Sequence, residues 1–150
     1  MVMSDKILNI LFICDWNTAR SVLAEVITNH EYHTHFKACS AGIEASDYVD
    51  PFVIGLIKDR YGINLINKEP RNFQAVDNIN ELDLIVTLSP YAFNAIKSIK
   101  KEKGFSTPIE FWETPPPPDK NQSRDMIMNA YEHIFEDISQ HIENRFYTKF

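Results

Sequence analysis

The sequence has few cysteines, no long apolar run and no excess of positive charge, and each absence excludes a class of protein. Its two cysteines, Cys14 and Cys39, are too few for a disulfide framework, which fits a reducing compartment. No apolar run approaches the roughly 18 residues that span a bilayer, and residues 1–6 show no signal-peptide pattern. We therefore expect a cytoplasmic protein without a membrane partner.

Acidic residues outnumber basic residues in this chain of 150 residues. The 21 Asp and Glu residues against 15 Lys and Arg residues give a formal net charge of −6. A nucleic-acid partner is not expected, because binding to nucleic acid normally requires a basic surface. The basic cluster at residues 97–103 has the spacing of a solvated helix face. The length predicts one domain over residues 1–150.

Four apolar segments alternate with four amphipathic segments along the chain. Strands are predicted over residues 7–13, 34–41, 82–88 and 108–112, and the first is nearly all apolar, as in a strand buried on both faces. Helices are predicted over residues 21–30, 51–61, 90–103 and 123–146, and residues 63–80 are predicted to be loop with a short helix. This alternation predicts an α/β three-layer sandwich with a four-stranded parallel sheet.

Local signals mark the ends of two helices. Asp50-Pro51 and Ser89-Pro90 each join a capping side chain to a proline at the first helical position. Gly62 and Gly104 are placed to end the same two helices. Residues 115–118 are four consecutive prolines, which predict an extended, polyproline-like backbone.

Ligands of parallel α/β sheets bind beyond the carboxyl ends of the strands. In this sequence those ends are Cys14, the turn at residues 40–42, Ser89 and the loop at residues 113–119. We therefore expect the functional residues to come from these four places.

Residues 14–21 connect the first predicted strand to the first predicted helix. A helix amino terminus presents unpaired N–H groups and about half a positive charge, which makes this junction suitable for an anion. The thiol of Cys14 and the guanidinium of Arg20 lie within this junction. This combination indicates a nucleophile directed at a bound oxyanion and leads to the hypothesis of phosphoryl chemistry at Cys14.

Residues 10–21 resemble the phosphate loop of the low-molecular-weight protein tyrosine phosphatases and of the related thioredoxin-coupled arsenate reductases. The likeness continues through residues 23–25, 40–42 and 82–88, and the order of strands and helices extends it to most of the chain. The resemblance implies the fold of these phosphatases, with a flavodoxin-like strand order of 2-1-3-4.

The resemblance also implies an activity, the hydrolysis of phosphotyrosine or another phosphomonoester through a phosphocysteine. Cys14 is then the nucleophile, Arg20 binds the phosphoryl oxygens, Asn17 fixes the loop backbone and Ser21 stabilises the thiolate. The implied partners are a phosphorylated protein or a small phosphoester, with inorganic phosphate or sulfate as a loop ligand, and neither a metal nor another cofactor is implied. The implied phosphate-binding residues are Asp15, Trp16, Asn17, Thr18, Ala19, Arg20 and Ser21.

The sequence departs from the family pattern at the general acid. The family carries an Asp-Pro pair after the last strand, and alignment from Trp112 places Pro116 at the aspartate. Proline cannot donate a proton, and the loss of such an acid costs about 10²–10⁴-fold in rate. Glu113 and Asp119 flank the prolines and are the candidates to replace it.

Two alternatives remain open from the sequence. Arsenate reduction requires resolving thiols, but Ser89 stands where the reductases have one, and Cys39 is the only other thiol. The second alternative is a non-catalytic phosphate-binding domain that has lost its general acid. Trp16 stands where many relatives have glycine, and it either forms a wall of the pocket or packs on the domain.

Overall fold

Four parallel strands form one sheet in the computed structural model, which describes residues 6–147. The strand order is β2-β1-β3-β4, and all three pairings are parallel. The predicted four-stranded parallel sheet and its order are thereby confirmed. Residues 1–5, where no signal-peptide pattern is expected, and residues 148–150 lie outside the described part of the chain. The strands are β1 (Leu8–Cys14), β2 (Phe36–Gly42), β3 (Leu84–Thr87) and β4 (Ile109–Phe111).

Four α-helices alternate with these strands within residues 6–147. Each predicted helix or strand is present, and its ends differ from the predicted ones by at most two residues. The short helix expected within residues 63–80 is a pair of 3-10 turns, Phe73–Ala75 and Ile79–Glu81. No helix in this part of the chain has both the length and the apolar character needed to cross a membrane. The helices are α1 (Arg20–Glu31), α2 (Pro51–Tyr61), α3 (Pro90–Lys103) and α4 (Arg124–Phe146).

The predicted signals at the ends of α2 and α3 are present in the structure. The side chains of Asp50 and Ser89 accept hydrogen bonds from backbone amides of the first helical turn, at 2.8 and 3.0 Å. Gly62 and Gly104 end the two helices with φ values of 70° and 76°. Glycine is favoured at these two positions because φ lies in the left-handed region.

Apolar clusters cover both faces of the sheet. Ile10, Phe12 and Cys14 of β1 belong to the cluster that includes residues of α1, α2 and α4. Leu11 and Ile13 belong to the other cluster, which includes residues of α3. Because successive residues of a strand point to opposite faces, β1 is buried on both sides, and the helices form the outer two of three layers.

The carboxyl ends of the strands meet at one edge of the sheet. Cys14, the last residue of β1, lies beside Gly42, the last residue of β2. A Cβ atom added to Gly42 would lie 2.8 Å from the backbone nitrogen of Asn17 and 2.8 Å from the carbonyl carbon of Trp16. The residue at the end of β2 must therefore be glycine if the loop after β1 is to keep this position.

Candidate active site

Residues 15–19 form the loop between β1 and α1, and its carbonyls and amides differ in their hydrogen bonding. Three of its carbonyls, together with the carbonyl of Cys14 at the end of β1, accept hydrogen bonds from the segment that follows β2, whereas the amides of residues 15–19 donate to no group within residues 6–147. Unpaired amides before a helix amino terminus form a typical anion-binding site. The four hydrogen bonds are Ile43 N to Cys14 O (3.2 Å), Glu44 N to Asp15 O (3.0 Å), Ser46 N to Trp16 O (3.0 Å) and Asp50 N to Thr18 O (3.0 Å).

The Cys14 thiol lies at the base of this loop and is 3% exposed. Its Sγ atom is 2.9 Å from Ser21 Oγ, and the same Oγ accepts a hydrogen bond from Asn17 Nδ2 at 2.8 Å. Because Asn17 occupies a lone pair of this oxygen, the Ser21 hydroxyl proton is available for donation to the sulfur. Donation to the sulfur stabilises a thiolate, which is the nucleophilic form of cysteine.

Asn17 fixes the conformation of the loop with its side chain and its backbone. Its φ of 57° lies in the left-handed region, which asparagine tolerates better than most residues other than glycine. Nδ2 donates to Ser40 Oγ at 3.0 Å in addition to Ser21, and Oδ1 accepts from the Arg71 amide at 3.0 Å. The side chain thereby connects the loop to β2 and to the segment after α2.

A polar network extends behind Asn17. Ser40 Oγ donates to Glu25 Oε1 at 2.5 Å, and Lys68 Nζ pairs with Glu25 Oε2 at 3.0 Å. Arg71 Nε donates to the Ser40 carbonyl at 3.1 Å. Lys68 and Arg71 were not predicted from the sequence, because they lie in the segment 63–80, which has no clear periodicity.

Arg20 is nearly buried, and its guanidinium has few partners. Nη1 donates to the Leu88 carbonyl at 3.4 Å, and Nη2 is 3.8 Å from Asp15 Oδ2. The buried Nε atom has no hydrogen-bond partner within residues 6–147. A buried donor without a partner costs about 1–3 kcal/mol, and an oxyanion in the loop can accept its hydrogen bond.

Asp15, predicted as a phosphate-binding residue, interacts with a residue from the end of β3. Its Oδ1 accepts a hydrogen bond from Ser89 Oγ at 2.5 Å. The same hydroxyl oxygen accepts from the Ala92 amide at the start of α3. Asp15 and Ser89, both expected at the functional edge of the sheet, are therefore in direct contact.

The other predicted loop residues differ in exposure. Trp16 is 47% exposed and therefore does not pack in the core, whereas Ala19 is buried immediately before α1. Thr18 lines a cavity of about 480 Å³ whose other lining residues come from the segment after β2, from α2 and from the segment before α4. These other lining residues are Ser46, Asp47, Tyr48, Asp50, Pro51 and Lys120.

The two acid candidates, Glu113 and Asp119, are exposed, and neither side chain forms a hydrogen bond or an ion pair with residues 14–21 in the part of the chain that the structure describes. Asp119 Oδ1 accepts a hydrogen bond from the Asn121 amide at 2.9 Å, and this contact forms a local turn. The neighbouring Thr114 hydroxyl donates to the Leu88 carbonyl at 2.7 Å. The segment therefore lies at the carboxyl edge of the sheet, but within residues 6–147 neither carboxylate forms a hydrogen bond or ion pair with Cys14 or Arg20.

Lys120 and Tyr131 both contact Asp50 beside the loop, and the sequence did not predict these contacts. Both bind Asp50 Oδ2, Lys120 as an ion pair and Tyr131 through a 2.6 Å hydrogen bond from its hydroxyl. Burial raises the pKa of Tyr131, and the hydrogen bond to Asp50 and its negative charge raise it further. Asp50 was predicted only as a helix cap, and no local pattern connects it to residues 70 and 81 positions away.

Cys39 is separated from Cys14 by the sheet. It lies beside Leu11, three residues before Cys14, which corresponds to about 10 Å along the strand. It also packs against the cluster on the opposite face from Cys14. A disulfide requires Cα atoms within about 7 Å, so the two cysteines cannot pair in this structure. Burial is also the main cause that raises the pKa of the Cys39 thiol.

The fold and the loop together define an α/β protein with a cysteine and an arginine in one strand-to-helix loop at the carboxyl edge of a parallel sheet. The model of the family described as low molecular weight phosphotyrosine protein phosphatase matches residues 9–148. The chain therefore belongs to this family of cysteine-dependent phosphatases, which confirms the resemblance seen in the sequence. Within residues 6–147, no group of three or more His, Cys, Asp or Glu side chains is arranged to hold a metal ion.

Several solved structures are similar over nearly the whole chain. Arsenate reductase from Archaeoglobus fulgidus is 27% identical, with a TM-score of 0.66 over 90% of this chain and 96% of that chain. The low molecular weight protein tyrosine phosphatase from T. tengcongensis is 20% identical, with a TM-score of 0.66 over 92% of this chain and 99% of that chain. Vibrio vulnificus Wzb in complex with benzylphosphonate is 20% identical, with a TM-score of 0.66 over 93% of this chain and 100% of that chain. No curated protein sequence matches the chain significantly.

Proposed function

We propose that this protein is a phosphatase that hydrolyses phosphotyrosine or another phosphomonoester through a phosphocysteine on Cys14. The observation that carries the proposal is the buried Nε of Arg20 beside the loop amides and the Cys14 thiol. Neither this nitrogen nor the amides of residues 15–19 have a hydrogen-bond partner within residues 6–147. We further propose that residues 1–150 form one phosphatase domain that acts in the cytoplasm. Its partners are a phosphorylated protein or a small phosphoester, and phosphate or sulfate can occupy the loop.

The first chemical step is attack by the Cys14 thiolate on phosphorus. A sulfur–phosphorus bond forms while the ester oxygen–phosphorus bond breaks, and the departing oxygen takes up a proton. Arg20 and the loop amides donate hydrogen bonds to the non-bridging oxygens and stabilise the charge of the transition state. The Ser21 hydroxyl, 2.9 Å from the sulfur, stabilises the thiolate before attack and as the leaving group of the second step.

The second step is hydrolysis of the phosphocysteine. Water attacks phosphorus, the sulfur–phosphorus bond breaks, and inorganic phosphate leaves with the hydroxyl group from water. The proton released from water passes to a base or to solvent, and Cys14 returns to the thiolate. Phosphorus and sulfur keep their oxidation states in both steps, so the reaction requires no redox partner.

The leaving oxygen takes up a proton, and two carboxylates after the end of β4 are the candidates to donate it. These are Glu113 and Asp119, both exposed, and within residues 6–147 neither forms a hydrogen bond or ion pair with residues 14–21. Aryl phosphates release a stable phenolate and depend least on an acid. We therefore propose aryl phosphates, such as phosphotyrosine, as the preferred substrates.

Arsenate reduction is the second candidate, and the similarity to the reductase from Archaeoglobus fulgidus favours it. An arsenylated Cys14 must be released by another thiol. Cys39 lies on the opposite face of the sheet, so its geometry does not support a direct disulfide with Cys14. A reductase activity would therefore depend on an external thiol.

Hydrolysis of p-nitrophenyl phosphate tests the proposal directly. We expect turnover by the wild-type protein that disappears in Cys14→Ser and persists in the matched variant Cys39→Ser. No turnover by the wild type above the level of Cys14→Ser would support the non-catalytic phosphate-binding domain instead. Arsenate turnover that requires thioredoxin or a small thiol and is lost in Cys14→Ser would support the reductase. Its loss in Cys39→Ser as well would show that Cys39 takes part, whereas its persistence in Cys39→Ser would show that the resolving thiol is external.

A further inference from the structure

The carboxylate of Asp15 is held at both of its oxygens directly beside the candidate nucleophile. Ser89 Oγ donates to Oδ1 at 2.5 Å, and Arg20 Nη2 lies 3.8 Å from Oδ2. The side chain is 24% exposed, so solvent screens its charge only in part. These contacts place a negative charge at the anion loop itself.

Arg20 makes an ion pair with Asp15 and few other contacts. Its hydrogen bond to the Leu88 carbonyl is long, at 3.4 Å, and its Nε has no partner in the described part of the chain. An incoming oxyanion must therefore share Arg20 with the carboxylate of Asp15.

The distances limit how far apart the two negative groups can be. An oxygen that accepts a hydrogen bond from Arg20 Nη2 lies about 2.9 Å from it. Because Oδ2 of Asp15 lies 3.8 Å from the same nitrogen, the two oxygens are at most about 7 Å apart. Repulsion at this distance grows in proportion to the charge of the ligand.

Within residues 6–147, Arg20 is the only Lys or Arg side chain that forms an ion pair with Asp15. Ser89 at the start of α3 is neutral. Tyr91, which also lies near enough to Asp15 to interact electrostatically, donates a hydrogen bond from its hydroxyl to Glu44 Oε1 at 3.3 Å. Glu44 follows β2 and is itself acidic. The side of the loop near Asp15 therefore carries negative charge from two carboxylates, against the single charge of Arg20.

We propose that Asp15 is a specificity-determining residue that makes the loop favour phosphoryl groups with a single negative charge over doubly charged ones. The preferred form of substrate is then a singly protonated phosphomonoester rather than the doubly charged ester. This inference rests on the proposed function in taking residues 14–21 as the oxyanion site. It goes beyond that function because it assigns the charge of the ligand to one side chain.

Binding of sulfate and sulfamate by calorimetry tests the inference at a single neutral pH. Both ions are tetrahedral at sulfur, but sulfate is doubly charged and sulfamate singly charged. We expect Asp15→Asn to bind sulfate roughly 10-fold more tightly than the wild type and sulfamate only roughly 3-fold more tightly. Asp15→Glu keeps the charge and should retain the wild-type preference between the two ions.

Equal gains for both ions, or no gain for sulfate, would overturn the inference. If Asp15→Asn does not fold, Asp15→Ser removes the same charge and carries the same expectation. Anion binding does not require turnover, so the two proposals fail separately. A wild-type protein that does not hydrolyse p-nitrophenyl phosphate, but whose anion preference shifts as expected in Asp15→Asn, would contradict the proposed function alone.

Discussion

Asn17 and Arg71 are joined by a hydrogen bond of 3.0 Å from the backbone amide of Arg71 to Oδ1 of Asn17. The Arg71 carbonyl in turn accepts from the amide of Gly42, at 2.8 Å. Arg71, in the segment between α2 and β3, therefore contacts both the anion loop and the end of β2. The segment without a clear sequence pattern thus supports the site from outside the strand-to-helix junction.

We expect Asn17→Ala to destabilise the protein and to weaken binding of phosphate. The substitution removes three side-chain hydrogen bonds, each worth about 1 kcal/mol, and places alanine at a φ of 57°. The combined loss should be about 2–4 kcal/mol in the free energy of unfolding. Urea denaturation and calorimetry with phosphate measure the two effects.

Asn144→Ala is the matched control for this change. Asn144 is exposed on α4 and accepts a hydrogen bond from Gln140 at 2.9 Å. Loss of an exposed contact of this kind changes stability by less than about 0.5 kcal/mol. A similar effect of both substitutions would show that Asn17 does not fix the loop.

Parts of the site could be predicted from the sequence because they are contiguous. Cys14 and Arg20 belong to one strand-to-helix junction, and hydrophobic periodicity identifies the strand before it and the helix after it. The sheet order required the resemblance to a family, because periodicity does not specify which strands are neighbours. The same contiguous stretch also contains Asp15, but its contact with Ser89 joins residues 74 positions apart.

The surrounding contacts could not be predicted, because they join distant residues without regular spacing. Lys120 forms an ion pair with Asp50, which is 70 positions away in the sequence, and Lys68 forms one with Glu25, which is 43 positions away. The directions of the Glu113 and Asp119 side chains depend on an irregular, proline-rich segment. Their positions in the sequence indicated the correct edge of the sheet but not the distance to Cys14.

Tyr131 gives a prediction for alkaline pH. Burial and the hydrogen bond to Asp50 raise the pKa of Tyr131 above its unfolded value of about 10. The stabilisation is therefore fully present below about pH 10 and is lost progressively as the pH rises towards the folded-state pKa. We expect the free energy of unfolding to fall above pH 10 by up to about 1.4 kcal/mol per pH unit for this group.

Tyr131→Phe should reduce that slope and should also lower stability at neutral pH by about 1–2 kcal/mol, because Asp50 loses a buried donor. Denaturation at a series of pH values measures both effects. Tyr147→Phe is the control, since Tyr147 is 79% exposed. An unchanged slope in Tyr131→Phe would exclude this tyrosine as its source.

The choice between the acid candidates can be made by comparing leaving groups. Removal of a general acid slows an alkyl phosphate more than an activated aryl phosphate, by a factor of about 10²–10⁴ for the acid-dependent substrate. We expect one of Glu113→Gln and Asp119→Asn to show this selective loss, with p-nitrophenyl phosphate hydrolysed at nearly the wild-type rate. Wild-type rates with both substrates in both variants would exclude both residues.

Gly42 and Gly55 provide a matched pair of substitutions that separates the loop from general stability. Alanine at position 42 would place its Cβ 2.8 Å from two backbone atoms of the loop, whereas alanine at position 55 meets no atom within 4 Å. We expect Gly42→Ala to displace the loop, because the contacting atoms belong to the backbone and cannot turn aside. It should weaken phosphate binding and hydrolysis of p-nitrophenyl phosphate by at least roughly 10-fold, since amides displaced from the anion lose their hydrogen bonds.

Gly55→Ala lies within α2 and should instead raise stability by about 0.5–1 kcal/mol with unchanged activity, because alanine loses less backbone entropy in a helix. Full activity in Gly42→Ala would mean that the loop does not need this close approach to β2.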